Sequence, residues 1–153
     1  MIITFCGHSD FNKCEEYEKQ MLELLDRLIK NEPVTFYLGN YGGFDDFAFM
    51  CCRRYKETHP NCTLIFVTPY RDQKYLDHHL PVGNSYDEIL YPDIEKRPPK
   101  LAILYRNMYM VEKSDVVIAY VKFSYGGAYK TYAHAQKKGK TVYNLFLQGN
   151  ENK

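Results

Sequence analysis

The chain has 153 residues, 45% of them hydrophobic and 25% charged, which is the size and composition of one globular domain and excludes a disordered, collagenous or coiled-coil chain. Its 20 Lys and Arg balance 19 Asp and Glu to a formal charge of +1. No broad cationic field exists for duplex nucleic acid or an anionic membrane, so neither is expected as a partner.

Ile2 to Cys6 is a short apolar run ending at Gly7 and reads as a buried strand. From Cys14 to Ile29 the residues Tyr17, Met21, Leu24, Leu25 and Leu28 share one helical face, and Asn31-Glu32-Pro33 stops that helix. Val34 to Leu38 is a second strand, closed by Gly39-Asn40-Tyr41-Gly42-Gly43. Phe44, Phe47, Ala48, Cys51 and Tyr55 mark a second helix. Thr63 to Val67 is a third strand, ended by Thr68-Pro69-Tyr70. Tyr70 to Pro99 is polar, holds Pro81, Pro92, Pro98 and Pro99, and contains one apolar piece at Ile89-Leu90-Tyr91; it predicts a surface loop around a short strand. Lys100 to Lys113 restores helical periodicity through Leu101, Leu104, Tyr105, Met108 and Val111. Val116 to Val121 is a strand, Ala128 to Lys138 a helix stopped by Gly139, and Thr141 to Leu147 the final strand. Without repeats or a linker, residues 1–149 are expected to form a single domain and 150–153 a disordered tail.

The opening Met1-Ile2-Ile3-Thr4-Phe5 lacks the basic and long apolar regions of a secretory signal. No apolar run approaches the ~20 residues of a membrane span. Five cysteines without CxxC spacing point to free thiols in a reducing, cytoplasmic setting. His59, His78 and His79 lack the i, i+4 spacing of helical metal ligands, so no metal site is expected.

Near-continuous apolar strands alternating with helices predict an α/β domain with a mainly parallel sheet covered on both faces. Ligands of such folds sit outside the carboxyl ends of the strands. Those ends carry Gly7-His8-Ser9-Asp10, then Gly39 to Asp45, then Thr68-Pro69-Tyr70, then Ser124-Tyr125-Gly126-Gly127-Ala128-Tyr129-Lys130. Two glycine pairs, Gly42-Gly43 and Gly126-Gly127, each lead into a helix. Glycine lets backbone N–H groups approach an anion, and a helix N-terminus supplies free N–H groups and the positive dipole end. A phosphate-bearing ligand between the two pairs is the functional reading; tight-turn chemistry is the other. Lys130 is placed to reach that phosphate or to be a solvated lysine. Asp45 is placed to bind a ribose hydroxyl or to complement the helix dipole. Ser9 and Ser124 either donate to phosphate or cap turns. Arg106 either reaches the site or pairs with a surface carboxylate. The aromatic share is 16%, with 15 Tyr and 9 Phe. Tyr41, Tyr70 and Tyr125 either stack on a base or lie at an oligomer interface. GxGxxG and Walker A patterns are both missing, so no cofactor is expected.

Taken in order, Phe5-Cys6-Gly7-His8, Tyr41-Gly42-Gly43-Phe44-Asp45, Val67-Thr68-Pro69-Tyr70, Tyr105-Arg106-Asn107-Met108 and Gly126-Gly127 make nearly the whole chain resemble the SLOG superfamily. That is the group of YpsA-like proteins, LOG phosphoribohydrolases and DprA-type domains. The resemblance implies a Rossmann-like three-layer α/β/α domain and a homo-oligomer, with helix Leu101 to Val111 as a candidate interface. It also implies a nucleotide or nucleotide-derived ligand at Gly7, His8, Ser9, Gly42, Gly43, Phe44, Asp45, Pro69, Tyr70, Arg106, Ser124, Gly126, Gly127 and Lys130. LOG enzymes carry PGGxGTxxE; here the run is Tyr125 to Ala133, with Ala133 in place of the glutamate and Tyr125, Tyr129 and Lys130 also departing. The expectation is therefore a ligand-binding or sensing module without turnover. The alternative is an N-glycosidase or phosphoribohydrolase acting on nucleoside 5′-monophosphates, with Asp45 as its carboxylate. A DNA-associated role of the DprA type is disfavoured by the balanced charge.

Overall fold

The computed structural model describes residues 1–80 and 86–147; the expected tail at 150–153, and Pro81 in the polar stretch, lie outside the described residues. Six parallel strands form one sheet in the order β4-β3-β2-β1-β5-β6: β1 (Ile2–Gly7), β2 (Val34–Leu38), β3 (Cys62–Val67), β4 (Glu88–Leu90), β5 (Val116–Tyr120) and β6 (Thr141–Asn144). Helices α1 (Glu15–Leu28) and α2 (Gly43–Thr58) cover one face, and α4 (Ala102–Lys113) and α5 (Gly127–Lys137) the other. The result is the three-layer α/β arrangement with a parallel sheet that the alternation of elements predicts.

The layers follow from side-chain alternation along the central strands. Ile3 and Phe5 of β1, with Phe36 of β2 and Ile118 of β5, meet Met21, Leu24 and Leu25 of α1 and Phe44, Phe47, Ala48 and Cys51 of α2. The intervening residues Cys6, Val117 and Ala119 pack on Val111 of α4 and Ala135 of α5. Buried Thr4 donates its hydroxyl to the Tyr37 carbonyl at 3.0 Å, so its polar atom costs little on the apolar central strand. At the amino ends of the strands, Asp115 accepts the Ile2 N–H at 2.8 Å.

Two elements depart from the sequence reading. The final strand, expected over Thr141 to Leu147, ends at Asn144, and residues 145–147 are helical. The polar stretch holds a helix, α3 (Gln73–His79), besides the expected short strand β4. None of its residues is buried, so it shows no apolar period. Its signal is the cap: the Asp72 carboxylate accepts the Tyr75 N–H at 3.1 Å. A 3₁₀ turn (Pro99–Leu101) leads into α4, and Gly139, at φ +71°, ends α5 as expected.

Candidate functional site

The chain builds outward from β1 through β2 and β3 to β4, then returns to the far side of β1 for β5. The loops leaving β1 and β5 therefore turn to opposite faces of the sheet and leave a crevice between them, the topological switch point of a doubly wound fold. A cleft of about 660 Å³ occupies this place. Its base is Phe5, Cys6 and Gly7, and its walls are His8, Ser9 and Asp10 after β1, Tyr41 and Asp45 around the start of α2, and Leu101, Ile103, Leu104 and Asn107 at the start of α4. Phe123, Tyr125, Gly126, Gly127, Ala128, Lys130 and Thr131 close it from the β5–α5 side.

The two glycine pairs have different surroundings. A Cβ on Gly43 would lie 2.4 Å from the Phe11 carbonyl oxygen, and one on Gly42 would lie 2.5 Å from the Ser9 Cβ. The Gly43 N–H donates to the Ser9 carbonyl at 2.8 Å and the Phe44 N–H to the His8 carbonyl at 3.3 Å. The start of α2 is thus spent on the loop after β1, and its glycines make room for that loop. Gly7 serves the same packing, since its Cβ would lie 2.3 Å from the Phe44 ring. At Gly126 and Gly127 a Cβ would meet nothing within 4 Å among the described residues. Gly126 adopts φ +91°, a left-handed conformation that favours glycine, and turns the chain into α5. The Lys130 N–H already bonds the Gly126 carbonyl at 3.1 Å, while the N–H groups of Gly127, Ala128 and Tyr129 have no partner among the described residues. They stand at a positive helix end, and Lys130 lines the same cleft.

Three exposed rings rim the same cleft: Tyr41, Phe123 and Tyr125. Phe123 and Tyr125 stack with centroids 5.3 Å apart, and Phe123 lies 5.2 Å from the His8 ring. Exposed aromatic faces grouped at one cleft mouth suit a flat ligand ring.

Asp45 and Arg106 provide the unusual electrostatics. Burial pushes the Asp45 carboxyl up to about 6; the Arg106 charge and the Tyr41 N–H, which donates to Oδ2 at 2.9 Å, pull it only part of the way back. A carboxyl that titrates near neutrality at a cleft wall has the profile of an acid–base group. Arg106 is 1% exposed. Its Nη1 donates to the Gly39 carbonyl at 2.9 Å and the Val67 carbonyl at 2.8 Å, tying the ends of β2 and β3 to α4. Burial, then the Asp45 charge, also holds the Cys6 thiol well above its usual range, which makes it a poor nucleophile.

Of the residues singled out in the sequence, Gly7, His8, Ser9, Asp45, Gly126, Gly127 and Lys130 share the cleft. Gly42, Gly43 and Phe44 lie behind its wall, with Phe44 fully buried against Phe11, Phe47 and Tyr120. Pro69 and Tyr70 stand beyond the β3 end, where the Thr68 hydroxyl donates to the Tyr70 carbonyl at 2.6 Å and the Tyr70 hydroxyl to the Pro99 carbonyl at 3.3 Å. Ser124 is exposed and outside the lining. Arg106 is buried rather than on the surface: it bonds the Gly39 and Val67 carbonyls and the Asn107 amide oxygen, and its charge partner is the cleft-wall carboxylate of Asp45. Helix Leu101 to Val111, considered as an interface, puts Leu101, Ile103 and Leu104 on the cleft and buries Met110 and Val111. Sequence reasoning passed over Asn107 and Phe123 as site residues; Asn107 follows Arg106 directly, and Phe123 stands two residues before Tyr125.

No protein-family model matches the sequence, and no curated protein matches it. Solved structures do share the fold. DNA processing protein A (DprA) from Streptococcus pneumoniae is 18% identical with a TM-score of 0.59, over 92% of this chain and 48% of that one. DprA from Helicobacter pylori is 20% identical with a TM-score of 0.58, over 93% and 63%. TM1055 is 15% identical with a TM-score of 0.56, over 92% and 71%. The chain thus spans about half of the S. pneumoniae protein. The H. pylori structure concerns that protein's single-stranded DNA binding mode. This overturns the expectation that balanced charge excludes a nucleic acid: the charge argument addresses duplex phosphates, whereas single strands are also held by stacking on aromatic faces. Among the described residues no helix is long and apolar enough to cross a membrane.

Proposed function

We propose that the cleft binds a nucleotide or nucleotide-derived molecule, its phosphate on the start of α5 and its ring against the exposed aromatic side chains. The observation that carries this reading is the Gly126–Gly127 entry to α5. Open backbone, unpartnered N–H groups and Lys130 stand there in one cleft with Tyr41, Phe123 and Tyr125. The SLOG resemblance of the sequence agrees with it. Binding without turnover is supported by Ala133, whose methyl group supplies neither a proton nor a nucleophile. Calorimetry with a panel of nucleoside monophosphates, a cyclic nucleotide and a short single-stranded oligonucleotide tests the site. Gly127→Asp is expected to abolish binding by bulk and like charge, and Lys130→Ala to weaken it by ~1–2 kcal/mol. Unchanged affinity in both variants moves the ligand elsewhere.

Asp45 supports a second reading, an N-glycosidase acting on nucleoside 5′-monophosphates. A carboxyl raised to about 6 at the cleft wall suits the oxocarbenium-like transition state of such a reaction. Chromatography of the same monophosphates decides: base release that disappears in Asp45→Asn establishes the enzyme, and saturable binding with no release establishes the binding module.

A further inference from the structure

We propose that Asn107 sets the base preference of the cleft, donating its amide N–H groups to a keto oxygen on the ligand ring, and that Arg106 is the positioning residue that aims it. The inference rests on the nucleotide reading above and names the ring chemistry of that ligand.

Arg106 Nε donates to Asn107 Oδ1 at 2.8 Å. A guanidinium has five donors and no acceptor, so only the amide oxygen can face it. The guanidinium cannot swing away, because it is buried and its Nη1 is held by the Gly39 and Val67 carbonyls. The amide orientation is thus dictated from the protein interior. The Asn107 nitrogen, with two donors, is left without a partner among the described residues, on a half-buried side chain that lines the cleft. Leu101, Ile103 and Leu104 of the same segment also line the cleft and offer apolar contact. A neutral donor in an apolar wall suits a neutral acceptor on a flat ring; phosphate is better served by Lys130 and the α5 amides. At the ring edge where guanine carries O6 and uracil O4, both keto acceptors, adenine and cytosine carry an amino donor. Donor against donor leaves both groups unpaired, which is where hydrogen-bonded sites draw their discrimination.

The test compares guanosine with adenosine 5′-monophosphate, and uridine with cytidine 5′-monophosphate, by calorimetry. Wild-type protein is expected to bind the keto member of each pair roughly tenfold more tightly. Asn107→Asp keeps one oxygen for Arg106 and turns the other into an acceptor facing the cleft, so the order within each pair is expected to invert in a variant that still unfolds cooperatively. A wild-type protein that favours the amino members, or neither, overturns the inference without any variant. Equal weakening of all four nucleotides and of inorganic phosphate by Asn107→Ala, which adds no charge, places the amide on phosphate and also overturns it, while leaving the nucleotide site standing. Failure of every nucleotide to bind the wild type overturns the nucleotide reading itself.

Discussion

His8 Nε2 accepts the Lys122 backbone N–H at 2.9 Å, across 114 residues of sequence. The bond joins the loop after β1 to the loop after β5, and so holds together the two walls that define the cleft. It needs a neutral ring, with the proton on Nδ1. Burial, assisted by the Lys122 charge and opposed by Asp10, holds the His8 pKa below its ordinary 6.5. The unfolded chain therefore takes up the proton first as pH falls. The stability that His8 contributes is intact above pH 6.5 and is lost below it. Thermal unfolding of wild type and His8→Gln between pH 5 and 8 checks this: the amide oxygen of Gln still accepts the N–H but does not titrate, so the variant should have the flatter profile. Parallel profiles would assign the pH dependence to other groups.

Asp45 predicts the opposite slope. Its folded-state pKa of about 6 lies above the ordinary 3.8, so the folded protein binds more protons than the unfolded chain within that window. Its contribution to stability is present below pH 3.8 and is lost as pH rises to about 6. In Asp45→Asn that component should vanish, and the difference in melting temperature between variant and wild type should grow across this window. A constant difference would mean that the carboxyl titrates normally.

The two glycine pairs are expected to answer substitution differently. Gly43→Ala drives a Cβ to 2.4 Å from the Phe11 carbonyl oxygen and 2.9 Å from that of Ser9, both main-chain atoms. A loss of at least ~1–3 kcal/mol is expected in denaturant unfolding. Gly127→Ala meets nothing within 4 Å among the described residues, so stability should hold or rise by up to about 1 kcal/mol while nucleotide affinity falls. If Gly127→Ala were the more destabilising of the two, the open cleft at α5 would be wrong.

Tyr125 is 69% exposed and contacts the Phe123 ring rather than the core. Tyr125→Ala should change stability by less than about 0.5 kcal/mol. If a ring of the ligand stacks there, the variant should lose ~1–3 kcal/mol of binding energy. Isothermal titration of folded variant against wild type separates the two effects, and full retention of affinity would take the ligand ring away from this rim.

The alternation of strands and helices, their parallel order and the loops that face the site were legible in the sequence because they depend on local periodicity. Ile3 and Phe5 alternate with Thr4 and Cys6, and Phe44, Phe47, Ala48 and Cys51 repeat at helical spacing, wherever the rest of the chain lies. Helix α3 escaped notice because it buries nothing and so shows no such period. The site was legible only as a list of loops. Gly42-Gly43 and Gly126-Gly127 are equivalent as sequence, yet Ser9 and Phe11 crowd the first pair and none of the described residues crowds the second. Arg106 reads as one more charge on an amphipathic helix; its burial follows from the Gly39 and Val67 carbonyls, which lie 67 and 39 residues away. The raised Asp45 carboxyl and the neutral His8 have the same origin. Each is set by desolvation and by partners that meet only when β1, β2 and β5 lie side by side, and no local pattern encodes that meeting.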